Sequence, residues 1–205
     1  MNFVAINLVG FLIRGPMQEP TGAYPQSATI PANADLWLLV PGQRLHLGFI
    51  LALISAAATW WLFSRTAAGF RLTATGASPT AARSAGRIDT DRVGVQALVL
   101  SGAIAGVAGA CEAAGVTHVL YEGLSPGYGY TAIGVALLGR LHPAGIVLSA
   151  LLFGALGAGA DAMQRDAQVP AEFASVVAAL VVLGMLAIPR IQELADRRAQ
   201  RKASA

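Results

Sequence analysis

Charge is what this sequence has least of. Only 12% of its 205 residues are Asp, Glu, Lys or Arg, about half the rough quarter usual for soluble domains. So few charges do not cover a water-facing surface, and the chain reads as an integral membrane protein whose outside meets lipid or other protein. Cysteine is nearly absent too, and the single Cys111 excludes an intramolecular disulfide framework and any CxxC metal pair. Lysine occurs once, at Lys202, which excludes a GxxxxGKS/T phosphate loop. His46, His118 and His142 stand near different loop ends without ligand spacing, so no metal or haem site is expected.

What is present is apolar sequence, 55% of the chain, cut into runs. Residues 1–13 are apolar but short of the about 20 helical residues needed to span a bilayer, and no basic residue or clear cleavage site marks them as a signal peptide. Residues 14–44 carry Pro16, Pro20, Pro25, Pro31 and Pro41 and read as a loop. Residues 45–63 suffice for a span, with Trp60, Trp61 and Phe63 placed as an interfacial belt. Residues 93–116 form another, in which Gly102 and Gly106 stand four apart, as helices in close contact require. Residues 131–139 reach span length only if the preceding LSPGYGY also enters the membrane. Residues 143–160 and 173–189 supply two more spans. The expected fold is therefore all-α, a polytopic transmembrane bundle of about five full spans plus a partial N-terminal one.

Arginine placement orients the bundle. Arg65, Arg71, Arg83, Arg87 and Arg92 fall in residues 64–92, and Arg190, Arg197, Arg198, Arg201 and Lys202 in the tail 190–205, whereas the 14–44 loop has only Arg14 and Arg44. By the positive-inside rule, 64–92 and 190–205 are cytoplasmic. An even number of crossings then separates residue 93 from the tail, four if 131–139 reaches the cytoplasmic face at Arg140 or two plus re-entrant pieces if it does not, and four fits the lengths better.

Within the arginine-rich segment the residues spell a short capped helix. Ser78 suits the N-cap, Pro79 the first helical position, and Gly86 a stop after Ala85. So short a helix does not offset its nucleation cost in water and needs a packing partner. Ala81, Ala82 and Ala85 offer a flat, small face for one. An ordinary arginine-bearing loop accounts for the charges but not for the caps.

The run GFRLTATGASPTAARSAGRIDTDRV, then SGAIAGVAGACEAAG, then GLSPGYGYTAIGVALLGRLHPAGIVLSALLFGALGAGADAMQ resembles the permease subunits of bacterial ABC importers in the ribose, simple-sugar and nucleoside branch, over nearly the whole chain. The resemblance implies a single transmembrane permease domain over 1–205, in the bacterial cytoplasmic membrane, whose segment 64–92 carries a cytoplasmic coupling helix. Gly76, Ser78, Pro79, Ala81, Ala82, Arg83 and Gly86 would then contact a separate ABC ATPase subunit. It implies further partners: a second permease subunit and an extracytoplasmic substrate-binding protein. No cofactor belongs to this chain, since ATP is hydrolysed by the partner, and no nucleic acid polymer is involved. The runs LLGRLHPAG and LLFGALGAGA, with Met163, Gln164, Val169 and Pro170, look most like the nucleoside-type members. Ser84 and Arg87 depart from the family pattern, where an aromatic and an aliphatic residue stand. Such permeases have about ten spans, so this chain corresponds to about the last six, with Met1 inside a fifth helix and no transport expected from it alone.

Glu112, an acid at the outer end of an apolar run, reads either as a residue of the solute pathway or as an interfacial helix-end acid. Tyr121, Tyr128 and Tyr130, with Glu122, suit stacking on a sugar or nucleobase, or an aromatic belt. Asp161, Arg165 and Asp166 read as a solvated outer loop. Gly102, Gly106, Gly154 and Ala158 are the expected helix-packing positions. The tripeptide GYG at 127–129 is shared with potassium filters, but the rest of the filter is absent. A secondary transporter would need an ion-coupling site that the scarce acids do not provide, and a non-transporting truncated remnant is the other alternative.

The topology is checked with Cys111 replaced by Ala and single cysteines at Ser27, Ser78 and Ser204. In intact cells an impermeant thiol reagent should label position 27 alone. Labelling at 78 but not at 27 reverses the orientation.

Overall fold

The computed structural model describes residues 2–22, 24–40, 42, 45–86, 88–125 and 127–167, with isolated positions 173, 176, 177, 179, 180, 183, 184 and 187 beyond them. Its elements are helical: α1 (Asn2–Arg14), α2 (Leu47–Arg65), α3 (Ala67–Ala77), α4 (Pro79–Gly86), α5 (Thr90–Glu112), α6 (Tyr128–Leu138) and α7 (Pro143–Ala167). Strand pairing among the described residues is limited to isolated bridges. The chain divides into two compact units, Met1–Pro126 and Gly127–Ala205.

Among the described residues three helices are long and apolar enough to cross a membrane: Leu47–Arg65, Thr90–Thr117 and Pro143–Ala167. Of their most apolar stretches only 6%, 6% and 11% is buried inside the chain. These helices therefore present their greasy faces outward, as lipid or neighbouring helices require and water does not permit. The buried apolar set is accordingly small, led by Ile13, Ala82, Val93, Ala113, Val135 and Ala160.

In the first unit, α2 packs on α3 and α5, and α4 on α3 and α5. The segment expected as a loop around one short helix is instead two helices, α3 and α4, joined by single-residue corners. Thr66 ends α2 in an extended conformation, donates its hydroxyl to Leu62 O at 2.7 Å and accepts Gly69 N at 3.0 Å. One side chain thus stops a helix and caps the next. Gly69 at that corner lies so close to the Leu62 carbonyl that a Cβ has no room.

The far end of α5 changes pitch. Ala113–Thr117 form one π-helical turn, closed by His118 in the left-handed region at φ 54°. The proline-rich segment lies along this end as a strap. Ser27 N donates to Leu120 O at 2.8 Å, Ile30 N to His118 O at 2.8 Å, and Leu36 N to Ala114 O at 3.1 Å. The strap so supplies donors to carbonyls that a helix C-terminus leaves unpaired. It buries Ser27, which the sequence marks as a label site, so the exposed Thr29 is the better outer reporter.

The second unit is a hairpin of α6 and α7, which pack together. α6 has 11 residues, about 17 Å at roughly 1.5 Å per residue, and by itself falls short of the ~30 Å hydrocarbon core. The sequence expectation of a full span at 131–139 is not met by this helix alone, because Leu124 and Ser125 before it are not helical. α7 runs seven residues past the expected end at 160, so Asp161, Arg165 and Asp166 stand exposed on a helix and not on a loop. The expected span at 173–189 and tail at 190–205 lie largely or wholly outside the described residues.

The hairpin reverses through Gly139, Arg140, Leu141 and His142, with Arg140 and Leu141 at φ 53° and 57°. Gly139 and Gly145 meet backbone to backbone, and a Cβ on Gly139 would lie 2.5 Å from Ile146 N. Gly139→Ala should lower stability in detergent by about 1–3 kcal/mol through overpacking. Gly102→Ala, where a Cβ meets nothing within 4 Å, should change it by less than about 0.5 kcal/mol. Thermal unfolding of the two purified variants makes the comparison.

Candidate functional site

Two ends of the first unit gather the residues singled out by sequence. At the arginine-rich end Ser78 is the hinge of the short helix. It sits between α3 and α4 with φ −160° and ψ 104°, its N–H donates to Ala74 O, and its Oγ accepts Ala81 N at 3.3 Å. Pro79 begins α4 and Gly86 ends it. Gly76 lies on α3, where a Cβ would meet open space.

The flat alanine face is divided. Ala81 is exposed, while Ala82 is buried against its own chain at 6% exposure, and its carbonyl accepts Ile88 N at 3.4 Å. The outward face of α4 is therefore Thr80, Ala81 and Ser84, which are exposed, whereas Ala82 holds α4 to the rest of the unit. Arg83 completes the attachment. Its Nε donates to the hydroxyl of the buried Thr90, and its Nη2 lies 2.6 Å from Asp91 Oδ1. Both acceptors belong to the first turn of α5, whose N-cap is Asp89, accepting Arg92 N at 3.2 Å. The short helix and the long one are thus latched by one guanidinium with two acceptors.

Sequence reading found Ser78, Pro79 and Arg83 and missed Thr66, Asp89, Thr90 and Asp91. A signal was present in each. Thr66 and Asp89 each precede a helical pattern as N-cap types, and Thr90 and Asp91 lie seven and eight residues past Arg83, within reach once the chain turns back.

At the opposite end of α5, Glu112 is the last residue before the π turn, and it is half-buried. Among the described residues no ion pair holds its carboxylate. Beside it, His46 caps α2 by accepting Gly48 N at 3.1 Å on Nδ1. The same ring abuts Gly115, where a Cβ would fall 2.6 Å from Nδ1. A histidine with no expected role is thus the wedge that sets α2 against the π turn. His118 reaches Asp35 of the strap at 2.8 Å. Among the described residues no group of three or more His, Cys, Asp or Glu is arranged to hold a metal ion.

Tyr121 pairs through its backbone with Gln26 and is exposed. Glu122 reaches α1, its Oε2 2.6 Å from Arg14 Nη2. Tyr128 and Tyr130 belong to the second unit, in the first turn of α6, both exposed. Of the expected packing positions, Gly102, Gly106, Gly154 and Ala158 are all exposed, and a Cβ on any of the three glycines meets nothing within 4 Å. The close backbone approaches occur at other glycines, 48, 69, 115, 139 and 145.

Ser78→Ala should weaken the cap of α4 by about 1 kcal/mol. The expected readout is roughly fivefold faster amide hydrogen exchange in α4, with α7 unchanged. Equal protection in the two proteins would show that the hydroxyl does not hold the corner.

Comparison with known proteins is now informative. A family model described as branched-chain amino acid transport system / permease component matches residues 1–186. A glucose ABC transporter permease protein of Haloferax volcanii is 36% identical over 199 residues, covering 91% of this chain and 51% of its own length. A guanosine ABC transporter permease protein of Bacillus subtilis is 34% identical over 187 residues, covering 89% and 53%. A nucleoside ABC transporter permease protein of Lactococcus lactis is 31% identical over 191 residues, covering 89% and 52%. The chain spans about half the length of these relatives. No solved structure matches.

Proposed function

Because the chain belongs to the family of branched-chain amino acid transport system / permease components, and so is a multi-pass membrane protein, we propose that it supplies membrane-spanning helices to an ATP-driven importer of a nucleoside or simple sugar in the bacterial cytoplasmic membrane. The relatives named for glucose, guanosine and nucleosides support that solute class. The observation that carries the mechanism is the latch between α4 and α5. A short helix, capped by Ser78 and fixed through Arg83 to the first turn of a long apolar helix, is what a coupling element needs.

An ABC ATPase subunit docks on the exposed face of α4, at Thr80, Ala81 and Ser84. Closure of the paired ATPases on ATP moves α4, and Arg83 passes the displacement to α5 through Thr90 and Asp91. Gly76, Pro79 and Gly86 set the length and ends of the docking helix. A second permease subunit or further helices cover the open faces at Gly102, Gly106, Gly154 and Ala158, since small residues let helices approach closely in lipid. Glu112 lies on the solute path, where an acid at the edge of an apolar span accepts hydroxyl donors. Tyr121, Tyr128 and Tyr130 receive the solute on the outer side, from an extracytoplasmic binding protein. Residues 64–92 and 190–205 face the cytoplasm. Nucleotide chemistry belongs to the ATPase partner, and this chain serves as a transport subunit.

The test separates docking from folding. Ala81→Trp adds bulk on the exposed face and should leave membrane abundance unchanged, while solute-stimulated ATP hydrolysis in the assembled complex falls at least tenfold, as overpacking a tight contact by about 1–3 kcal/mol implies. Ala82→Trp adds it on the buried face and should lower abundance as well. Normal coupling in the Ala81→Trp complex would sink the docking assignment.

A further inference from the structure

Among the described residues there is a cleft that the reading above does not use. It lies between α1 and Glu122, with a volume of about 360 Å3, within the about 300–1,000 Å3 range of small-ligand sites. Asn7, Phe11 and Arg14 line it at spacings of four and three along α1, which places them on one helix face. Gly10, between them, also lines it. No neighbour requires a glycine there, since a Cβ would meet nothing within 4 Å. The recess is open space in the molecule.

Resting on the importer reading, we propose that this cleft binds one uncharged polyhydroxylated ring, the pyranose of a sugar or the ribofuranose of a nucleoside, as an entry subsite for the transported solute. The charge pattern selects the class. Arg14 Nη2 and Glu122 Oε2 are 2.6 Å apart, so the lining has no net charge to attract an anion or a cation. The pair leaves the other guanidinium N–H groups as donors and Glu122 Oε1 as an acceptor. The Asn7 side chain donates one N–H to Phe3 O at 2.8 Å, which leaves its carbonyl oxygen and a second N–H. Ring hydroxyls, each donor and acceptor at once, match such an alternation.

Phe11 supplies the apolar wall. The residue is 68% exposed, which leaves its ring open to the C–H face of a sugar or the face of a base. A zwitterionic amino acid fits less well, because its carboxylate and ammonium would have to part Arg14 from Glu122. Glu122 faces α1 from the other side of the cleft. Its carboxylate closes the end of the recess.

The assembled transporter, in cells, provides the test. In a Cys111→Ala background, Gly15→Cys places a thiol on the polar rim of the cleft, and Ile6→Cys on its wall gives a second reporter should the first fail to reach the membrane. Thiol labelling is followed with no solute, with guanosine, with glucose and with leucine. Guanosine or glucose should slow labelling several-fold and saturably, leucine should not, and a thiol at Thr29 should be unaffected by all three. Adding Phe11→Ala should raise the solute concentration needed for half-protection about tenfold. Protection by neither uncharged solute, or by leucine alone, overturns the assignment. Uptake of labelled guanosine and glucose is measured in the same cells. Uptake without protection removes this subsite and leaves the importer standing, whereas protection without any uptake supports the subsite and counts against the importer.

Discussion

The first unit depends on satisfying helix ends in a chain with few polar groups to spare. Each helix start and stop exposes backbone donors and acceptors that neither lipid nor an apolar neighbour can meet. Thr66, Ser78 and Asp89 answer this with one side chain apiece. Because the first two corners, Thr66 and Ser78, are single residues, α2, α3 and α4 follow one another almost without loop. The result is a rigid series of rods, where the arginine content alone would suggest a flexible, solvated connection. The strap serves the same need at the other end, where its amides meet carbonyls released by the π turn.

Glycine is used in two opposed ways. At Gly69, Gly115, Gly139 and Gly145 the absent side chain is a space filled by this chain's own backbone or by the His46 ring. At Gly102, Gly106 and Gly154 the same absence faces nothing. Sequence spacing alone does not tell these apart, since both are small residues in apolar helices. The distinction matters energetically, because only the first kind is already committed to an internal contact. The second kind leaves grooves whose depth invites another helix.

How much was legible follows from the length scale of each signal. The long spans could be read, because some twenty apolar residues admit little else: 45–63 became Leu47–Arg65 and 93–116 became Thr90–Thr117. The short helix was legible from Ser78 and Pro79, which act on neighbours within one turn. α3 was not, since FRLTATGA carries no apolar period and is helical because Thr66 caps it and α2 and α5 cover it. The burial of Ala82 was hidden for the same reason: a flat face of alanines does not say which side meets its own chain. Arg83 was read as a cytoplasmic residue facing an ATPase partner, and its contacts to its own chain emerged only when Thr90 and Asp91 folded back to it. The meeting of Arg14 with Glu122 spans 108 residues, a separation at which no local pattern speaks.

The continuous helix from Thr90 to Thr117 has 28 residues, about 42 Å at roughly 1.5 Å per residue, and so exceeds the ~30 Å hydrocarbon core by about 12 Å. It is gripped outside that core at both ends, by Arg83 at one and by the strap and His46 at the other. A stiff shaft held at two bearings cannot absorb a push by bending in between, and rigid elements of this kind carry displacement across a bilayer. Its surplus length turns bilayer thickness into an angle, because an overlong helix tilts until its apolar part fits. A thinner membrane would lean the shaft further and move its two bearings sideways in opposite directions. The lipid itself thereby acts on the two ends that Arg83 and the strap hold.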